Sequence, residues 1–172
     1  ELTGINATHV AGNVWEADVS GLADGTLAVQ AAVTDAAGNT ATAGTSFTLD
    51  TSADVDTNFA VSVAADDQVT NLAESTDVSL SLAGIDSDAA SVSVAITDGA
   101  NTVNAVATND GSGWVVADQD LSSLADGTLT VSATVTDAAG NSADAVTASF
   151  ELDTTADVDT NFAVSVAADD QV

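Results

Sequence analysis

Apolar and polar residues alternate one for one through much of this chain. In 128–136, Leu129, Val131, Ala133 and Val135 alternate with Thr130, Ser132, Thr134 and Thr136. Val78, Leu80 and Leu82 alternate with Ser79 and Ser81, and Val92, Val94 and Ile96 with Ser91, Ser93 and Ala95. Phe59, Val61 and Val63 repeat the pattern with Ala60 and Ser62. A period of two marks a strand with one face buried, so the abundance of alanine does not signal helix. Asp, Asn and Gly collect between these segments, as turns require. The pattern predicts strands over 58–65, 77–83, 91–97, 102–108, 114–118, 128–136 and 145–152. They are labelled A, B, C, C′, E, F and G. Asp98-Gly99-Ala100-Asn101 reads as the turn of the C–C′ hairpin. Seven short strands within about 100 residues predict an all-β fold, an immunoglobulin-like antiparallel β-sandwich. Trp114 is expected to cap the core from strand E, and Trp15 to do the same in an earlier copy.

That earlier copy is visible in the sequence. The twenty residues from Asp50 to Val69 recur from Asp153 to Val172 with one change, Ser52 against Thr155. The period is 103 residues. This is one domain per repeat and not a solenoid unit. Leu22-Ala-Asp-Gly-Thr26 matches Leu124-Ala-Asp-Gly-Thr128, and Thr34-Asp-Ala-Ala-Gly-Asn39 matches Thr136-Asp-Ala-Ala-Gly-Asn141. Residues 1–50 therefore read as strands C′ to G of a preceding repeat, 51–153 as a complete repeat, and 154–172 as a linker and first strand of the next. Residues 1–50 would leave one apolar sheet face uncovered. The expectation is a longer chain upstream; strands A–C supplied by another chain are the alternative.

Charge then narrows the function. The chain has no Lys or Arg against 27 acidic residues, a formal charge of −27. Binding to a phosphate backbone needs cations, so nucleic acid is excluded as an ordinary partner. Anionic lipid surfaces are disfavoured for the same reason. No run of 18 apolar residues predicts membrane insertion. Trypsin finds no Lys or Arg to cleave after. With no cysteine, disulfides, thiolate metal sites and cysteine nucleophiles are absent. His9 is the one histidine and lies outside 51–153, where it reads as an exposed residue of a C′–E turn. A Ser-His-Asp arrangement cannot form within 51–153. Carboxylate pairs are abundant, but two Trp and four Phe are too few aromatics for a sugar cleft. The chain is read as non-enzymatic.

Two carboxylates about 4 Å apart repel by roughly 1 kcal/mol in water and more near a protein surface. Divalent cations are the natural partners in a chain without basic side chains. Strand direction places the entering linker with Asp86, Asp88, Asp110, Asp137 and Asn141 at one pole of the sandwich. Asp66, Asp67, Asp98, Asp126 and the exit linker belong at the other. The linkers carry Asp50, Asp54 and Asp56, and then Asp153, Asp157 and Asp159. Calcium takes about 6–8 oxygens, preferably from carboxylates and carbonyls. The candidate calcium ligands are therefore Asp24, Asp50, Asp54, Asp56, Asp86, Asp126, Asp137, Asp153, Asp157 and Asp159. The competing reading is that these residues only initiate turns and keep the surface soluble. An EF-hand is not present. Asp118, Asp120 and Asp126 fall at its positions 1, 3 and 9, but Ser123 and Leu129 stand where Gly and Glu are required.

The stretch 124–141, followed by Phe150-Glu-Leu-Asp-Thr-Thr-Ala156, resembles the bacterial Ig-like repeats of giant Bap-type and RTX adhesins, including their extender regions. The match covers the C-terminal half of the repeat twice, at 22–53 and 124–156. It implies an extracellular, tandem, non-enzymatic spacer on a bacterial surface, with Ca2+ near the junctions and neighbouring repeats as partners. On matching positions it points to Asp50, Asp126, Asp137 and Asp153. Many members place Pro after the Asp-Thr-Thr-Ala run; here Asp54 and Asp157 stand there, and a fixed φ is lost. The alternative is that the repeats themselves bind carbohydrate, a surface or like repeats on another cell. The outward Ser, Thr and Ala favour a spacer. A third reading, an accessory domain of a secreted hydrolase, fits poorly with nearly identical blocks.

Overall fold

The computed structural model describes residues 7–54, 58–63, 68–156 and 161–165. Asp56, Asp66, Asp67, Asp157 and Asp159 lie outside the described residues. The chain divides into two units, 1–52 and 53–172.

Alternation sets the second unit. Its strands are β5 (Ala60–Val63), β6 (Val69–Asn71), β7 (Val78–Ala83), β8 (Ala89–Thr97), β9 (Thr102–Val106), β10 (Thr108–Asn109), β11 (Trp114–Gln119), β12 (Gly127–Asp137) and β13 (Val146–Asp153). One sheet runs β10-β11-β7-β5 and the other β6-β13-β12-β8-β9. All seven predicted strands are present as an immunoglobulin-like sandwich. The inward residues of β12 are Leu129, Val131, Ala133 and Val135, each at most 1% exposed. They meet Leu80, Val92, Ile96, Val116, Phe150 and Leu152 in one core. Burying each large aliphatic side chain stabilises by roughly 1.5–3 kcal/mol before entropy is counted. Trp114 is half-buried and packs on this core, as expected.

Two features depart from the sequence reading. The predicted strand C′ is two strands. β9 pairs with β8 in one sheet, whereas Thr108 and Asn109 pair with β11 in the other. Ala107, 4% exposed, makes the crossing, its amide donating to the Val92 carbonyl at 2.9 Å. Alternation continues through the crossing, so the pattern cannot show it. The second departure is β6, which lies in the expected A–B loop and pairs parallel to β13 through Val69, Thr70 and Asn71. Three residues are too few to display a period.

The first unit holds two hairpins among the described residues. β1 (Thr8–Ala11) pairs with β2 (Val14–Glu16), and β3 (Gly25–Thr34) with β4 (Thr40–Leu49). His9 therefore sits on strand β1, not in a turn; its Nε2 lies 2.9 Å from the Gly12 carbonyl oxygen. Trp15 does not cap a core: it is 62% exposed and meets His9 edge-on, the ring centroids 5.0 Å apart. In the second unit the residue at the matching place, Trp114, lies opposite Leu82 of β7. Among the described residues of the first unit no strand takes that role. Val33 and Phe47 are likewise 69% and 42% exposed, whereas their counterparts Val135 and Phe150 are buried.

Candidate functional site

The F–G turn is built by one carboxylate. β12 ends at Asp137, where the register against β8 slips between Thr136 and Asp137. Asp137 Oδ1 accepts the amides of Gly140 and Asn141 at 2.7 and 2.8 Å, and Oδ2 accepts Asn141 Nδ2 at 2.8 Å. Only 2% of Asp137 is exposed. Burial pushes its carboxyl up, but the bonds from Asn141, Gly140 and Ala139 outweigh this and hold it below the ordinary value. The Ala138 amide donates to the Asp88 carbonyl at 3.0 Å, which ties the F–G turn to the B–C loop. Within that loop the Ala89 amide donates to the Asp86 carbonyl at 3.2 Å. Asp88 and Asp137 bring carboxylate oxygens within 4.8 Å of each other. Sequence reasoning placed Asp86, Asp88 and Asp137 at one pole, and this bonding joins their loops. Asp35 builds the same turn in the first unit, accepting from Ala37, Asn39 and the Asn39 side chain. Those bonds, led by the Asn39 side chain, lower its carboxyl.

Asp98 and Asp126 organise loops of the other pole. Asp98 Oδ1 accepts the amides of Ala100 and Asn101, and its Oδ2 accepts Asn101 Nδ2 and the Ala125 amide. The C–C′ turn is thus bonded to the E–F loop. These donors, led by the Asn101 amide, hold the Asp98 carboxyl well below the usual range. Asp126 Oδ1 accepts both the amide and the hydroxyl of Thr154, at 3.0 and 2.7 Å. Those two bonds are the main reason that its carboxyl is lowered. Asp24 holds Thr51 in the first unit, Oδ2 from the amide at 3.1 Å and Oδ1 from the hydroxyl at 2.7 Å. Asp50 and Asp153 accept the amides two residues on, from Ser52 and Thr155, at 3.4 and 3.3 Å. Asp54 follows in the linker.

One acidic pair was not legible in the sequence. Asp118 sits at a bulge of β11, with φ 55°, between Val116 and Gln119. A hydrogen bond with Asp77 and the charge of Asp77 push its carboxyl up. A non-glycine residue in this left-handed region is uncommon, and Asp is among those that tolerate it. The signal was the pairing of strand E with B, which brings the residue before β7 beside the bulge.

The lowered carboxyls set an acid limb. Asp98 is held below its unfolded value of about 3.9, so its contribution is complete above that pH and fades as pH falls further. Protonating the many other acids works oppositely, by relieving repulsion. The difference between proteins is therefore the readout. Asp98→Asn keeps an acceptor for Ala100 and Asn101 but loses the Oδ2 bonds. It should melt lower than the parent at pH 7, and the gap should narrow steadily as pH falls from about 4 toward 2. Parallel melting curves across that range would contradict the assignment.

Two sheets packed face to face, antiparallel but for the β6–β13 pair, with aspartates closing the turns at both poles, define an immunoglobulin-like repeat held without disulfides. The chain belongs to the bacterial Ig-like domain family, whose model matches residues 53–154. Three solved structures are similar to it. A tetra-tandem repeat from the extending region of a large adhesion protein is 33% identical, covering 81% of this chain and 34% of that one, with a TM-score of 0.48. A Ca2+-stabilised adhesin that helps an Antarctic bacterium reach out and bind ice is 28% identical, covering 76% and 32%, with a TM-score of 0.41. A 1.5-MDa bacterial ice-binding adhesin is 27% identical, covering 76% and 42%, also with a TM-score of 0.41. The chain thus spans well under half the length of each. No curated protein sequence matches it.

Proposed function

We propose that this chain is part of a structural extender in a long bacterial surface adhesin, non-enzymatic and outside the cell, with calcium stiffening the joints between repeats. The recurrence of one acidic linker block after 103 residues, with a single change, carries the reading. Nearly identical linkers between like domains serve reach and repetition, and a reaction would need only one copy. Neighbouring repeats are then the principal partners.

The donor set suits a hard cation that takes about 6–8 oxygens. Asp137 Oδ1 already accepts two amides, while its Oδ2 accepts one bond and keeps a lone pair for an ion. Asp88 brings a second carboxylate to the same pole. Asp86 lies two residues away in its loop. Asp50, Asp54 and Asp56 of the entering linker would complete the set, and Asp153, Asp157 and Asp159 would do so for the following repeat. In a chain without Lys or Arg, an ion there also relieves the repulsion among these groups.

A ligand held only by the folded state raises the melting temperature. Millimolar calcium should raise that of the second unit by several degrees over a chelator, and magnesium by much less, because it demands tighter octahedral geometry. Asp88→Asn should reduce the calcium increment without changing the melting temperature in chelator. An equal increment in parent and variant would remove Asp88 from the ligand set, and none in the parent would sink the calcium reading.

A further inference from the structure

We infer that Asp24 and Asp126 are metal-independent clamps that fix the first linker residue to its own repeat, so that each joint begins to bend only beyond Thr51 and Thr154. Both were candidate calcium ligands by sequence, but their geometry serves another purpose. Asp126 lies in the E–F loop, and its Oδ1 accepts both hydrogen-bonding groups of Thr154, 28 residues away. Asp24 engages the same two groups of Thr51 across 27 residues, but with one oxygen for each, Oδ2 for the amide and Oδ1 for the hydroxyl. The contact is thus made twice, in units with very different surroundings. In the second unit β13 is part of a complete sandwich; in the first, β4 belongs to a hairpin with an exposed face. A bond that survives that difference is set locally, by the Asp-Gly turn that opens β3 or β12 and the Asp-Thr that closes β4 or β13. In both cases the turn and the linker lie at one end of a paired hairpin, since Gly25 faces Leu49 and Gly127 faces Leu152.

The second oxygen distinguishes a clamp from a ligand. Both bonds from Thr154 fall on Oδ1 of Asp126, which an asparagine at 126 would also present. Asparagine therefore keeps the clamp but removes the charge that a calcium ligand supplies. The Thr154 amide is the reporter, because its exchange with solvent requires the clamp to open.

Hydrogen exchange of the Thr154 amide would be measured on the full chain, in calcium and in chelator. Protection should be the same in both buffers and persist in Asp126→Asn. Asp126→Ala, which loses both bonds from Thr154, should speed exchange about tenfold or more, since one lost hydrogen bond alone is worth roughly two- to tenfold. Trp114 fluorescence checks that the variants are folded, and Thr154→Val, which loses only the hydroxyl bond, should fall between. Calcium stoichiometry of Asp126→Asn by equilibrium dialysis should equal that of the parent. Protection in the parent that appears only with calcium would overturn the clamp, as would loss of a bound ion in Asp126→Asn. The inference rests on the extender reading only for the clamp's purpose. A chain that binds no calcium would fail that reading and leave the exchange result intact.

Discussion

Phe150→Ala should cost the second unit about 3–5 kcal/mol, the range for removing a buried aromatic ring. Phe150 is 3% exposed on β13, opposite Leu129, in a core with few other aromatics. Its removal leaves a cavity that the valines of the core can fill only partly, because β-branched side chains are stiff. The first unit supplies the control. Phe47 holds the same place opposite Leu27 but is 42% exposed. In the 172-residue chain, where no strand among the described residues covers this face, Phe47→Ala should therefore cost under about 1 kcal/mol, as surface substitutions do when no special feature is lost. Urea unfolding followed by Trp114 fluorescence measures the first, and circular dichroism of the whole chain the second. Equal costs would show that the two units bury this position alike, against the exposures found here.

Gly84→Ala comes next in size. Gly84 follows β7 with φ +69°, and a Cβ there would lie 2.1 Å from both the backbone oxygen and Oδ1 of Asn58. The left-handed conformation alone costs a residue with a Cβ roughly 1–2 kcal/mol. The overlap adds to this, because one of the crowded atoms is backbone. Asn58 lies two residues before β5, so relief of the clash would drag the edge strand from β7. A loss of at least about 2 kcal/mol is expected. Gly99→Ala is the comparison: its φ is +92°, but nothing lies within 4 Å of the added carbon. It should pay only the conformational part. If the two variants unfolded at the same urea concentration, the close approach to Asn58 would be refuted.

Strands were legible wherever alternation ran for several residues. Leu129 to Val135 showed both the strand and its buried face. The sequence was silent where one or two residues decide the outcome. Ala107 carries the chain between sheets without breaking the alternation. Val69-Thr70-Asn71 is too short to have a period. Asp118 takes a left-handed conformation that no other aspartate among the described residues shares. The candidate site was legible as a pole and not as a set of ligands. Strand direction correctly grouped Asp88 with Asp137, and the Asp98 turn with the Asp126 loop. Residue type could not separate roles, because 27 acidic residues offer the same chemistry. What distinguishes Asp137 and Asp126 is which amides they accept. Such bonds depend on loop closure across 27 or 28 residues for the clamps and only four for the F–G turn. The short closure could be anticipated from Asp137-Ala-Ala-Gly-Asn141; the long ones could not.

Small-angle X-ray scattering of the chain, in millimolar calcium and then in excess chelator, tests the extender reading most directly. Calcium should give a narrower distribution of interatomic distances with a sharper long-distance shoulder, reversed by the chelator and absent with magnesium. Superimposable curves under all three conditions, with the second unit folded throughout, would mean that no ion stiffens the joint.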